Sequence, residues 1–160
     1  MITRLITPLF AWLHRRTAQR RGPDVVIGEP DNVYLRRWWV IPRNRVFNLY
    51  LHEFSRSDDD RALHDHPWLF NLSVLLSGTY VEHTIDAGGI HRERTLRMGQ
   101  SRFRFGGAPH RIELRDGPVW TLFITGPVVR HWGFHCPHGW VHWADFTANG
   151  GATVGKGCGE

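Results

Sequence analysis

The chain has 160 residues, 41% of them hydrophobic, 12% aromatic and 22% charged. That balance describes one soluble globular domain and excludes a disordered or fibrous chain, with no room for a second full-sized domain. The formal charge of +5 comes from 20 basic and 15 acidic residues, but Arg4, Arg15, Arg16, Arg20 and Arg21 all fall in residues 1–21, which hold no acid. The body is therefore formally neutral and carries no basic stripe with interleaved aromatics. It is expected to bind no nucleic acid, and any anionic surface would be met by the N-terminal segment.

In chain order, Thr7 is suited to cap a helix with Pro8 at its first position, and Gly22-Pro23 supplies a stop, so residues 8–21 read as a helix. Leu9, Phe10, Trp12 and Leu13 crowd its first half and arginines its second. This is the pattern of an amphipathic arm that packs on its own domain, on a partner subunit or on a membrane surface, with packing on protein the plainer reading. Residues 5–13 are too short to span a membrane, and Thr7, Pro8 and the arginines that follow argue against a signal peptide. Helix and connector occupy residues 1–31.

Beyond residue 31, short runs rich in Val, Ile, Phe, Trp and Tyr alternate with clusters of Gly, Pro and Asp, an all-β signature. The patterning predicts strands over 33–41, 46–54, 62–66, 69–76, 79–85, 91–97, 101–105, 109–114, 119–125 and 141–146. Ala87-Gly88-Gly89 and Arg115-Asp116-Gly117-Pro118 read as hairpin turns. So many strands in so short a body point to a closed barrel or jelly roll over residues 32–147, because such architectures protect their sheet edges. Residues 148–160 read as a flexible Gly-rich tail. Two cysteines, Cys136 and Cys158, make no disulfide framework, and the chain reads as reducing and cytoplasmic.

His64-Asp65-His66 ends a predicted strand, where alternation puts both imidazoles on one face and turns Asp65 away to anchor the strand. Asp58, Asp59 and Asp60 just before it read as acceptors for a ligand imidazole or as a solvated turn. His135-Cys136-Pro137-His138 with His142 lacks the spacing of a zinc knuckle and reads as a surface loop. Polar candidates for substrate binding on inward-facing strand positions are Tyr50, His52, Asn71, Tyr80 and Arg104; an arginine can grip a carboxylate or phosphate by a forked pair of hydrogen bonds.

The spacing around these histidines resembles the cupin superfamily. Its first motif runs Gly, five residues, His-x-His, three or four residues, Glu, six residues, Gly; here His64 and His66 are followed after four residues by Asn71 and after six more by Gly78. Its second runs Gly, five residues, Pro-x-Gly, two residues, His, three residues, Asn; here Gly99 leads to Phe105-Gly106-Gly107, His110 and Leu114. Asn71 stands where most metal-binding cupins have Glu, and the first glycine, the proline and the last asparagine are also replaced. The segments 34–39, 56–68 and 132–143 look like small cupins common in phages and bacterial genomes.

The resemblance implies a double-stranded β-helix (jelly-roll barrel) with one divalent metal held by His64, His66 and His110. It is similar to three-histidine iron cupins such as thiol dioxygenases, so Fe(II) is favoured, with Zn, Ni, Mn or Cu left open. It implies a small-molecule dioxygenase. A non-catalytic ligand-binding or assembly cupin, and a metal-free sugar-nucleotide isomerase or epimerase, are the alternatives. A homodimer with contacts through the helix is a further expectation.

Overall fold

The computed structural model describes residues 2–58 and 62–159; Asp59 and Asp60 lie outside the described residues. The order of elements is α1 (Ile2–Arg16), β1 (Val25–Glu29), β2 (Asn32–Trp39), β3 (Asn48–Phe54), β4 (Leu63–His64), β5 (Phe70–Ser77), β6 (Thr79–Asp86), β7 (Ile90–Arg97), β8 (Ser101–Phe105), β9 (Arg111–Leu114), β10 (Val119–Thr125), β11 (Gly133–Cys136), β12 (Gly139–His142), α2 (Trp143–Phe146), β13 (Thr147–Ala148), a 3-10 turn (Asn149–Gly151) and β14 (Thr153–Val154). One antiparallel sheet runs β1-β2-β3-β10-β5-β8. Facing it are two three-stranded sheets, β12-β11-β4 and β7-β6-β9. A reciprocal backbone pair between His64 and His110 joins them. Two layers of antiparallel strands of this kind make a jelly roll.

Alternation along the strands builds two cores. Inside, Leu35, Phe54, Leu75, Tyr80, Leu96, Ile112 and Val119 pack as one buried cluster. Outside, Trp38, Leu51 and Leu76 meet Ile6 and Leu13 of α1, with Trp120 stacked on Trp38 at 5.5 Å. The helix thus packs on its own sheet.

Four sequence expectations are corrected. The helix starts at Ile2 and ends at Arg16, with Pro8 in its interior. Ile6 and Leu13, seven residues apart on one face, are both buried against the sheet, and that burial outweighs the one backbone hydrogen bond a proline removes. The connector contains β1, an added edge strand of the large sheet. Residues 115–118 cross between sheets instead of closing a hairpin, since β9 pairs with β6 and β10 with β3 and β5. In place of a strand over 141–146 the chain makes the β11–β12 hairpin and then α2, whose first turn is capped by the His142 ring accepting from the Ala144 N–H.

The tail and the cysteines differ too. β14 pairs with β13, and Cys136 and Cys158 form a disulfide across a sequence separation of 22. The tail is therefore tied to β11, and the cysteine count no longer supports a reducing compartment. No helix among the described residues is long and apolar enough to cross a membrane.

Candidate metal centre

β4 is only two residues long, so local backbone pairing must aim its histidines. His64 exchanges both backbone hydrogen bonds with His110 at 3.0 Å, and the His66 N–H donates to the Gly106 carbonyl at 2.8 Å. A side chain at Gly106 would begin 1.9 Å from the Trp68 carbonyl oxygen, so this approach is open only to glycine. The glycine that the site requires is thus Gly106, one position before the Gly107 of the cupin spacing. Asp65 points the other way. Its carboxylate accepts from the Gly133 N–H at 2.9 Å, Trp140 Nε1 at 3.1 Å, His135 Nε2 at 3.1 Å and Arg130 Nη1 at 2.9 Å. His135 serves this buried carboxylate, Cys136 the disulfide and His142 the α2 cap, on a hairpin turning at Pro137 and His138.

Three rings result, with centroids 5.2 Å apart for His64 and His66, 5.0 Å for His64 and His110 and 5.1 Å for His66 and His110. One nitrogen from each falls within 4.8 Å of the others. Burial pushes all three below the usual histidine range, strongly for His66 and His110, where Arg104 adds repulsion. For His64 the Asp58 carboxylate, 3.8 Å from Nδ1, opposes that push. Asp58 is itself fixed by the Ile112 N–H at 2.6 Å and by the Tyr34 hydroxyl. Buried His110 Nδ1 has no hydrogen-bond partner among the described residues. Neutral, converging imidazoles with an orphaned nitrogen fit a divalent transition ion, which binds imidazole lone pairs and leaves positions open beyond three ligands.

The rings open onto a cavity of about 320 Å³. Of the candidate substrate residues, His52, Tyr80 and Arg104 stand on its wall, while Tyr50 and Asn71 are buried and not among the residues lining it. Both amide atoms of Asn71 lack partners among the described residues. Arg104 is held by the Glu82 carboxylate, which also takes Arg102 Nε at 2.7 Å.

Residues missed at the sequence level complete the wall: Arg37, Phe123, Trp132 and the segment 151–154. Arg37 Nε donates to His52 Nε2 at 2.8 Å, and its guanidinium lies 5.0 Å from the Tyr50 ring centroid. No carboxylate pairs with Arg37 among the described residues. Strand parity was the available signal, since Arg37 lies two residues from inward Leu35 and opposite His52.

Burial, then Arg37, drives His52 well below the ordinary histidine value. The unfolded chain takes up a proton near pH 6.5 that the folded protein refuses, so stability is full above that pH and falls below it. In His52→Gln, which keeps an acceptor for Arg37, the loss of stability between pH 6.5 and 5.5 should shrink by about 1 kcal/mol, measured by urea unfolding at the two pH values.

No family model matches the chain, and no curated protein matches it. Solved structures do. KdgF from Halomonas sp. aligns with a TM-score of 0.51 at 15% identity over 70% of this chain and 92% of its own. An Fe(II)-HppE complex aligns with a TM-score of 0.50 at 19% identity over 66% and 58%. A cupin superfamily protein from Desulfitobacterium hafniense DCB-2 aligns at 0.47 and 15% over 58% and 77%. The chain spans about half of a DMSP lyase chain that it also matches. Two layers of antiparallel strands, with His64 and His110 pairing where the two three-stranded sheets meet, and the likeness to the KdgF and HppE structures give this chain a cupin-type jelly-roll fold.

Proposed function

We propose that this protein is a metal-dependent cupin in which His64, His66 and His110 hold one divalent ion, Fe(II) by preference, and that it oxygenates a small anionic substrate. The observation that carries the reading is the convergence of three neutral imidazoles on a cavity whose wall includes Arg37, a cation without a carboxylate partner among the described residues. When bound, Fe(II) would supply adjacent open positions for a chelating substrate and dioxygen.

The chain's own residues would do the rest. Arg37 would draw in and orient a carboxylate by forked hydrogen bonds, strengthened by low local polarity. Arg104 would add positive field from the wall while Glu82 holds it in place. Trp68, Phe123, Trp132 and Phe134 would exclude water and shape the space to a small molecule. Asp58, within reach of the His64 imidazole, would fix that ring's orientation.

The test is oxygen uptake by iron-loaded protein offered thiol carboxylates, diketones and catechols. Iron-dependent uptake that falls at least about 100-fold in His110→Ala, and an Arg37→Met variant whose KM rises about 10-fold or more for an anionic substrate, would support the reading. Iron-loaded protein inert toward all three classes would overturn oxygenation; if iron still raised its melting temperature, a non-catalytic ligand-binding cupin would take its place.

A further inference from the structure

A second group of imidazoles and carboxylates stands on the outer surface of the barrel, away from the cavity. His83 on β6 lies directly opposite Glu93 on β7, and His91 is two residues before Glu93, on the same face. His83 is nearly buried, with 3% of its side chain exposed. Its Nε2 meets Glu113 Oε2 of β9 at 2.8 Å. A carboxylate there accepts a hydrogen bond from the Nε2 N–H, which keeps the ring proton on Nε2 and leaves Nδ1 with its lone pair. That lone pair faces His91 Nε2 at 2.9 Å and Glu93 Oε1 at 3.8 Å.

We propose that His83, His91 and Glu93 form a second metal site, one that takes a borderline divalent transition ion of the zinc class. The ligand atoms all lie within 4.8 Å of one another. The two separations from His83 Nδ1 bracket the edge of a tetrahedron with zinc-length bonds, roughly 3.3 Å. Two imidazoles and a carboxylate are a donor set zinc accepts, and the exposure of His91 and Glu93 leaves a fourth position for water. Glu113 plays the outer partner that orients a ligand imidazole. The nearby cations do not oppose the ion directly, because Arg115 is engaged with Glu113 Oε1 at 3.2 Å and Arg111 lies 4.0 Å from Oε2. Bound metal would pin the edge strand β7 to β6 through side chains on one face of the pair.

The test is equilibrium dialysis against buffered free zinc, with bound metal counted by elemental analysis. His91→Ala/Glu93→Gln, two exposed positions, should bind one zinc ion per chain fewer than wild type. His64→Ala/His110→Ala should keep that ion, and Glu113→Gln should weaken it about 10-fold. Because wild type and the surface variant share His64, His66 and His110, their difference reads the outer site whether or not the barrel centre takes zinc. Equal zinc in those two proteins would overturn the proposal.

Discussion

Replacing Asp65 by alanine is expected to destabilise the protein by about 3–5 kcal/mol, read as a lowered urea midpoint with an unchanged slope. The carboxylate is 1% exposed and gathers four donors from beyond position 129: the Gly133 N–H, the Trp140 and His135 rings and the Arg130 guanidinium. Alanine would leave the Gly133 N–H buried without an acceptor and release Arg130 from its counter-charge. It would also remove the side-chain tie between the β11–β12 hairpin and the segment that carries His64 and His66, leaving only the backbone pairing of β11 with β4. Asp65→Asn retains one acceptor oxygen and should lose roughly half as much. The same midpoint in wild type and Asp65→Ala would show that the hairpin holds β4 without this carboxylate.

Glu82→Ala should produce a loss of similar size, about 3–5 kcal/mol, for a different reason. Glu82 is 0% exposed at its side chain and sits between Arg102 and Arg104; Arg104 is 6% exposed. Without the carboxylate, the Arg104 guanidinium would face the cavity uncompensated. Burial already draws Arg104 below its usual range, with Tyr80 opposing that push. Pairing Glu82→Ala with Arg104→Met removes the stranded charge, so the double variant should regain most of the loss. Equal stability of the single and double variants would show that the lost carboxylate matters through packing and not through charge.

Strands 101–105 and 119–125 have the bounds their sequences predict, although in the first the alternation is inverted, with Phe103 and Phe105 exposed and Arg104 buried. Where a segment's conformation depends on a distant partner, the local pattern misleads. Thr7-Pro8 has the chemistry of a helix start, yet the sheet face under Ile6 and Leu13 extends the helix past it. Val25, Val26 and Ile27 are too short a run to announce an edge strand. The β11–β12 hairpin is held by Asp65, some seventy residues earlier in the chain, which no local window contains.

The candidate centre divides in the same way. His64, His66 and His110 could be read from alternation and spacing, since both report which face a strand residue occupies. Arg37 was hidden between Arg36 and two tryptophans, in a run that looks like a solvated edge, although Arg36 meets Glu53 outside while Arg37 turns inward. Gly106 was legible only as a turn residue; its close approach to Trp68 belongs to the folded barrel. The glycines of the tail carried no sign that the chain doubles back, because that path depends on Cys158 reaching Cys136.

That path makes residues 136–158 a closed covalent ring, and the ring contains Thr147 and the 151–154 segment of the cavity wall. Closing a loop of this length removes freedom from the unfolded chain worth about 3 kcal/mol. It also changes what a cut means. A single backbone break anywhere in the ring leaves two ends, each still attached to the barrel, one through the main chain and the other through sulfur. The outer wall of the cavity therefore stays with the protein after a nick that would strip an ordinary C-terminal tail away.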